Sequence, residues 1–212
     1  NADCLLCPPA TLIAPMAARA GDRLNVGGQS CHASENGAHT GDISAEMLAD
    51  AGASYVIVGH SERRQDHNET DADIAAQTEA ALRAGLTPII CCGETLETRK
   101  AGSTLDFVSD QLAVSLPESL QNKAFVVAYE PIWAIGTGEV ATPDQIGEVH
   151  AHIRSLLKSR FGDTGANTPI LYGGSMKPGN AADILAVPHV NGGLIGGASL
   201  KADDFMAIYA AA

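Results

Sequence analysis

The chain has 212 residues, 45% hydrophobic and 18% charged, with a net charge of -12 and a sequence pI near 4.8. This composition suits one globular α/β domain with a sizeable core, and it excludes the basic stripe that nucleic acid or an anionic membrane would require. An anion bound by so acidic a chain needs a site built locally from backbone N–H groups.

The elements alternate along the chain. Asp3–Cys7 reads as a strand and Thr11–Ala20 as a helix after Pro8-Pro9; Leu24–Gln29 is the next strand. A polar loop from Cys31 to Asp42 leads to a helix over Ser44–Ala51 with Ser44 as N-cap. Tyr55–Gly59 is a β-branched strand. Thr70-Asp71-Ala72-Asp73 resembles a capping box and opens a helix to Ala84, stopped by Gly85. Thr87–Cys92 is a strand, and Thr104–Ser115 a helix with Leu105, Val108 and Leu112 on one face. Ala124–Tyr129 is a strand. Thr142, Pro143 and Gln145 supply the N-cap, N1 and N3 of a helix running to about Arg160. Thr168–Tyr172 is a strand, Asn180–Ala186 a helix, Gly193–Ile195 a strand and Lys201–Tyr209 the last helix. Strict β-α alternation predicts a parallel sheet with right-handed crossovers, in a single domain over 1–212.

No apolar run approaches the roughly 20 residues that span a membrane, and no signal-peptide pattern is read at the start. Cys4, Cys7, Cys31, Cys91 and Cys92 are an odd set in strand-like contexts. Cys4 and Cys7 match C-x-x-C, but positions three apart on a strand face opposite ways, so core thiols in a reducing cytoplasm are expected. His150 and His152 are two apart on a helix, too far around it to chelate. His32, His67 and His189 read as surface or loop residues.

In a parallel α/β sheet the chemistry gathers at the C-terminal ends of the strands. Here those ends carry Pro8-Pro9, Gln29, Gly59-His60-Ser61-Glu62, Gly93-Glu94, Glu130, Tyr172-Gly173-Gly174-Ser175 and Gly196-Gly197. Glu130 is followed by stiff Pro131, bulky Trp133 and a small-residue stretch of Ala134, Gly136, Thr137 and Gly138. That order suggests a base at the mouth of a site, then a lid with one rigid and one permissive end.

Tyr129-Glu130-Pro131-Ile132-Trp133-Ala134-Ile135-Gly136-Thr137-Gly138, Val58-Gly59-His60-Ser61-Glu62-Arg63-Arg64, Tyr172-Gly173-Gly174-Ser175, Asn36-Gly37-Ala38-His39-Thr40-Gly41 and Gly196-Gly197-Ala198-Ser199-Leu200 together resemble the triosephosphate isomerase family, in the family's order and over essentially the whole chain. The resemblance implies a TIM (β/α)8-type barrel with seven visible β-α units. It implies interconversion of dihydroxyacetone phosphate and D-glyceraldehyde 3-phosphate, in glycolysis and gluconeogenesis, with no metal and no organic cofactor. Glu130 would be the base between C1 and C2, His60 the carbonyl-polarising group and Glu62 an organiser behind it. Residues 131–138 would be the lid, and Gly136, Ser175, Gly196 and Gly197 would hold the phosphate through N–H groups. The loop Gly37–Asp42 would be the arm of a homodimer.

The family's pattern begins with one further β-α unit, which carries an Asn-x-Lys motif; the strand Asp3–Cys7 looks like the family's second. No lysine of this sequence stands clearly in that role, so the alternative is a catalytically impaired or inactive phosphate-binding TIM-barrel remnant. Two weaker readings are a nucleophile elbow at Gly59-His60-Ser61-Glu62-Arg63, which has Arg63 in place of the second glycine, and a dinucleotide fingerprint at Gly136-x-Gly138-x-x-Ala141.

Overall fold

The computed structural model describes residues 2–136 and 139–212. The described residues form two compact units, one of residues 3–91 and 113–125, the other of residues 2, 92–112, 126–136 and 139–212.

In the first unit, β1 (Leu5–Leu6), β2 (Asn25–Gly28), β3 (Tyr55–Val58) and β4 (Thr87–Cys92, through Cys91) pair in chain order, all parallel. Leu5 lies beside Asn25, Gly27 beside Tyr55 and Val58 beside Ile90. Val56, Val58, Ile90 and Cys91 are fully buried, as continuous apolar strands of a parallel sheet should be. The helices are α1 (Ile13–Ala20), α2 (Ala45–Asp50), α3 (Ser61–Asp66) and α4 (Asp71–Arg83). Ser44 caps α2 by accepting the Met47 amide at 3.2 Å. Thr70 and Asp73 close the expected capping box on α4, and these bonds hold the Asp73 carboxyl below its ordinary range.

The second unit contains α5 (Leu96–Lys100), α6 (Thr104–Ser115, through Leu112), β5 (Val126–Tyr129), α7 (Pro143–Phe161), α8 (Asp163–Asn167), β6 (Ile170–Tyr172), α9 (Ala181–Leu185) and α10 (Ala202–Tyr209). Strands β5 and β6 pair in parallel, Tyr129 beside Tyr172. Helix α7 begins at the reciprocal Thr142–Gln145 cap with Pro143 in its first turn. Its Ile146, Val149, Ile153 and Leu157 are fully buried, a stripe at helical spacing against the core.

The elements differ from the sequence reading in two respects. Gly193–Ile195 is not a strand; a single parallel bridge joins Gly193 to Tyr172, with Tyr172 donating to the Gly192 carbonyl and Leu194 to that of Tyr172. Two adjacent glycines with little side chain to pack leave the pairing one residue long. The short helices α3, α5 and α8 have five or six residues each and carry no apolar stripe, so periodicity could not find them. The five cysteines form no disulfide; Cys31, Cys91 and Cys92 are buried, and burial raises the Cys7 and Cys31 thiols to about 12. No helix among the described residues is long and apolar enough to cross a membrane.

Candidate active site

Glu130 follows β5 directly and is 1% exposed. Its amide donates to the Cys92 carbonyl at 2.7 Å. Two glycines make room for it. A Cβ on Gly93 would stand 1.7 Å from the Glu130 carbonyl oxygen, and one on Gly173 would stand 2.8 Å from its Cγ. The carboxylate is thus seated by close backbone approach, which only a residue without a side chain permits.

The rigid end of the proposed lid is tied down at several points. Pro131 precedes a short 3-10 turn, Ile132–Ala134. The Ile132 amide donates to the Glu94 carbonyl at 3.1 Å. Trp133 Nε1 and the Tyr129 hydroxyl both donate to Glu94 Oε1, at 2.9 and 3.1 Å. Glu94 is fully buried, and that burial raises its carboxyl above the ordinary range against the pull of these two donors. Its Oε2 has no hydrogen-bond partner among the described residues. Glu94 was visible in the sequence only as a carboxylate at a strand's end; its pairing with Trp133, 39 positions away, is a tertiary fact.

Ser175 meets the same turn from the other side. Its amide and hydroxyl both donate to the Ala134 carbonyl, at 3.1 and 2.7 Å. At the permissive end Gly136 has a positive φ of 68° with open space where a Cβ would stand. Thr137 and Gly138, the remainder of the expected lid, lie outside the described residues, as does the second glycine of the dinucleotide reading. Gly196 and Gly197 stand in a separate loop entering a 3-10 turn, Gly197–Leu200, with nothing within 4 Å of a would-be Cβ.

His150 lies behind these strand ends. Its ring meets Tyr129 edge-on at 5.8 Å and Tyr172 at 6.5 Å, and Nδ1 bonds to the His189 carbonyl at 3.1 Å. It is fully buried, with no partner for Nε2 among the described residues, and burial lowers its pKa from 6.5 to about 4. The folded state therefore holds the neutral ring while the unfolded chain protonates below 6.5, so stability present above pH 6.5 is lost as pH falls toward 4. Linkage puts the loss between pH 7.5 and 5.0 at about 2 kcal/mol. Urea unfolding at those two pH values should show that difference shrinking by this amount in His150→Gln; an unchanged acid limb would refute it.

In the first unit, His60 stands after β3 and caps α3. Its Nδ1 accepts the Glu62 amide at 3.3 Å. A neutral ring that accepts on Nδ1 carries its proton on Nε2. Glu62 Oε2 lies 3.8 Å from the same Nδ1 on a largely exposed side chain. The arginines that could have paired with Glu62 are engaged elsewhere, Arg63 with Glu69 and Arg64 with Asp71.

Among the described residues, His32, His39 and Asp42 are the one group whose donor atoms cluster as a metal site would need, within 4.8 Å of one another. The His32 and His39 ring centroids lie 4.0 Å apart, with the rings tilted by 36°. However, His32 Nδ1 accepts the Ser34 amide at 3.0 Å, which leaves the proton on Nε2, the nitrogen facing Asp42 at 3.8 Å. A metal would need that nitrogen's lone pair, so the Ser34 bond opposes ligation by His32.

A family model described as triosephosphate isomerase matches residues 1–212. The chain belongs to that family. The triosephosphate isomerase of Hyphomonas neptunium is 67% identical over 210 residues, covering 99% of this chain and 84% of that protein. That of a Ruegeria species is 62% identical over 209 residues, covering 99% and 85%. The crystal structure of the Bartonella henselae triosephosphate isomerase superposes with a TM-score of 0.93 at 50% identity, over 99% of this chain and 86% of that one. The fold is therefore α/β of the TIM-barrel type, and the family is one of isomerases. Identity at this level over nearly the whole chain gives no support to the remnant, nucleophile-elbow or dinucleotide readings.

Proposed function

We propose that Glu130 and His60 divide between them the family's reaction, the interconversion of dihydroxyacetone phosphate and D-glyceraldehyde 3-phosphate. Glu130 takes a proton from C1 of the ketone, and the electron pair left behind forms an enediolate with its charge on the C2 oxygen. His60 donates to that oxygen from Nε2 and recovers a proton from the C1 hydroxyl. Glu130 then returns its proton to C2, which yields the aldehyde. The family is itself the standing example of this pairing of a carboxylate base with a neutral imidazole. Donor and base work best where water is excluded, because electrostatic stabilisation strengthens there and the enediol phosphate is kept from losing its phosphate.

The observation that carries this reading is the His60 Nδ1 bond to the Glu62 amide. It accounts for a ring that donates from Nε2, and it gives the backbone of Glu62, next to an exposed carboxylate, the organising part. Burial of Glu130 against Gly173 supports its part as base. Phosphate would be held by N–H groups of Gly136, Ser175, Gly196 and Gly197; for Ser175 this requires its donors to leave the Ala134 carbonyl, which couples phosphate binding to movement of the lid. We read residues 1–212 as one TIM-barrel domain, acting in the cytoplasm on a small phosphorylated triose, without metal or organic cofactor, as a homodimer through the loop around Gly37–Asp42.

His60→Gln tests the reading. Loss of the positioned donor should lower kcat by about 10²-fold, and the ¹⁵N spectrum of the wild-type ring should show the Nε2–H form. Wild-type turnover in H60Q, or a ring protonated on both nitrogens at the working pH, would sink it.

A further inference from the structure

Arg64 lies on α3, four residues after His60, and its side chain is 14% exposed. Its guanidinium engages four acceptors in the same unit. Nε donates to the Gly59 carbonyl at 2.8 Å, Nη1 to Asp71 Oδ1 at 2.6 Å, and Nη2 to the Cys91 carbonyl at 3.0 Å and to Ser115 Oγ at 3.5 Å. Ser115 in turn donates to the same Asp71 oxygen at 2.9 Å, from a fully buried position.

This is more than an ion pair. Gly59 is the residue immediately before His60, and it has a positive φ of 69°. Cys91 lies in β4 next to its end, so one side chain ties the exit of β3 to the neighbouring strand. A Cβ on Gly59 would stand 3.2 Å from Nη2 and 2.8 Å from the Ile74 side chain, so guanidinium and turn are fitted to each other. The motif closes on itself. His60 caps α3 through Nδ1, and α3 returns Arg64 to grip the peptide that carries His60. A planar fork with five donors can reach carbonyls and a carboxylate in different directions at once, and a lysine ammonium on a single point cannot.

We propose that Arg64 is a positioning residue for His60, holding the Gly59–His60 peptide so that the imidazole Nε2–H is presented to the substrate carbonyl. The inference rests on the reading of His60 as the carbonyl donor. Arg64 acts through that peptide and touches no reacting atom.

The test compares wild type, Arg64→Lys, Arg64→Ala and His60→Gln for isomerase turnover, and records the ¹⁵N spectrum of the His60 ring in the two Arg64 variants. In R64K, which keeps the charge and the methylene stem, kcat should fall by about 10- to 100-fold with KM held within about threefold, as expected for a displaced rather than a deleted group. The single Nε2–H signature of His60 should shift or split, and added guanidinium ion should restore part of the kcat of R64A. If R64A does not fold, R64K carries the test. Turnover within about twofold of wild type in R64K, where misplacement should cost far more, would overturn the inference. So would a fall in kcat with an unaltered His60 signature and no rescue, which would make Arg64 purely structural. Wild-type turnover in H60Q would remove the reading of His60 itself, whereas a dead H60Q beside an active R64K overturns Arg64 alone.

Discussion

Glu130→Ala, purified from a host without an isomerase of its own, should lose turnover by about 10³-fold or more, the upper range for a positioned general base. The loss should fall on kcat, because the carboxylate moves a proton and does not hold the phosphate. Truncation leaves a void beside Gly173, whose backbone lies where a Cβ would meet Glu130 Cγ at 2.8 Å; thermal unfolding should nevertheless stay cooperative, which separates lost chemistry from lost fold. Glu130→Asp is the sharper version. It keeps charge and burial and withdraws the oxygens by one methylene, a displacement that should cost about 10²-fold. Wild-type kcat in either variant would remove Glu130 from the reaction.

Gly93→Ala should damage stability and activity together. The added carbon would overlap the Glu130 carbonyl oxygen at 1.7 Å, and the obstruction is backbone, not a side chain that could rotate away. Glu130 is held nearby by its amide bond to the Cys92 carbonyl and by the Gly173 amide on the Tyr129 carbonyl, both 2.7 Å. The strand ends must therefore part. We expect a loss of about 3 kcal/mol or more, at or above the usual range for overpacking, read as a lower urea midpoint at unchanged slope. In whatever fraction remains folded, kcat should also fall, because the displaced backbone is that of the base. Gly196→Ala provides the contrast, since a Cβ there meets nothing within 4 Å. Equal stability of G93A and wild type would refute the account.

Much of this molecule was legible in the amino-acid sequence. Caps are local chemistry, so Ser44, Thr70 and Thr142 announced the starts of α2, α4 and α7, and each makes the bond its residue type implies. Period also carried far. Apolar strand runs and the Leu105, Val108 and Leu112 stripe of α6, in strict β-α alternation, predicted a parallel α/β sheet, which in turn placed the chemistry at the strand ends. Glu130 and His60 were found there because a charged or titratable residue after an apolar strand is conspicuous, and the motifs around them pointed to the family that the comparisons show.

Only the tertiary structure decided what those residues touch. Glu94 and Arg64 are ordinary charged residues on paper. One becomes a buried acceptor for Trp133 and Tyr129, the other a clamp that joins the nearby Gly59 carbonyl to that of Cys91, because folding brings Glu94 to Trp133 and Tyr129, and Arg64 to Cys91, across tens of residues. His150 sits at a helical position that could face solvent or core, and its burial follows from the strands that α7 happens to cover. Gly93 and Gly173 are only glycines at strand ends until Glu130 is seen lying where their side chains would be, its carbonyl oxygen against Gly93 and its Cγ against Gly173. Caps and periods are set by neighbours a few residues apart and survive in the sequence alone; burial, long-range acceptors and close backbone approach depend on segments that meet only after the chain has folded.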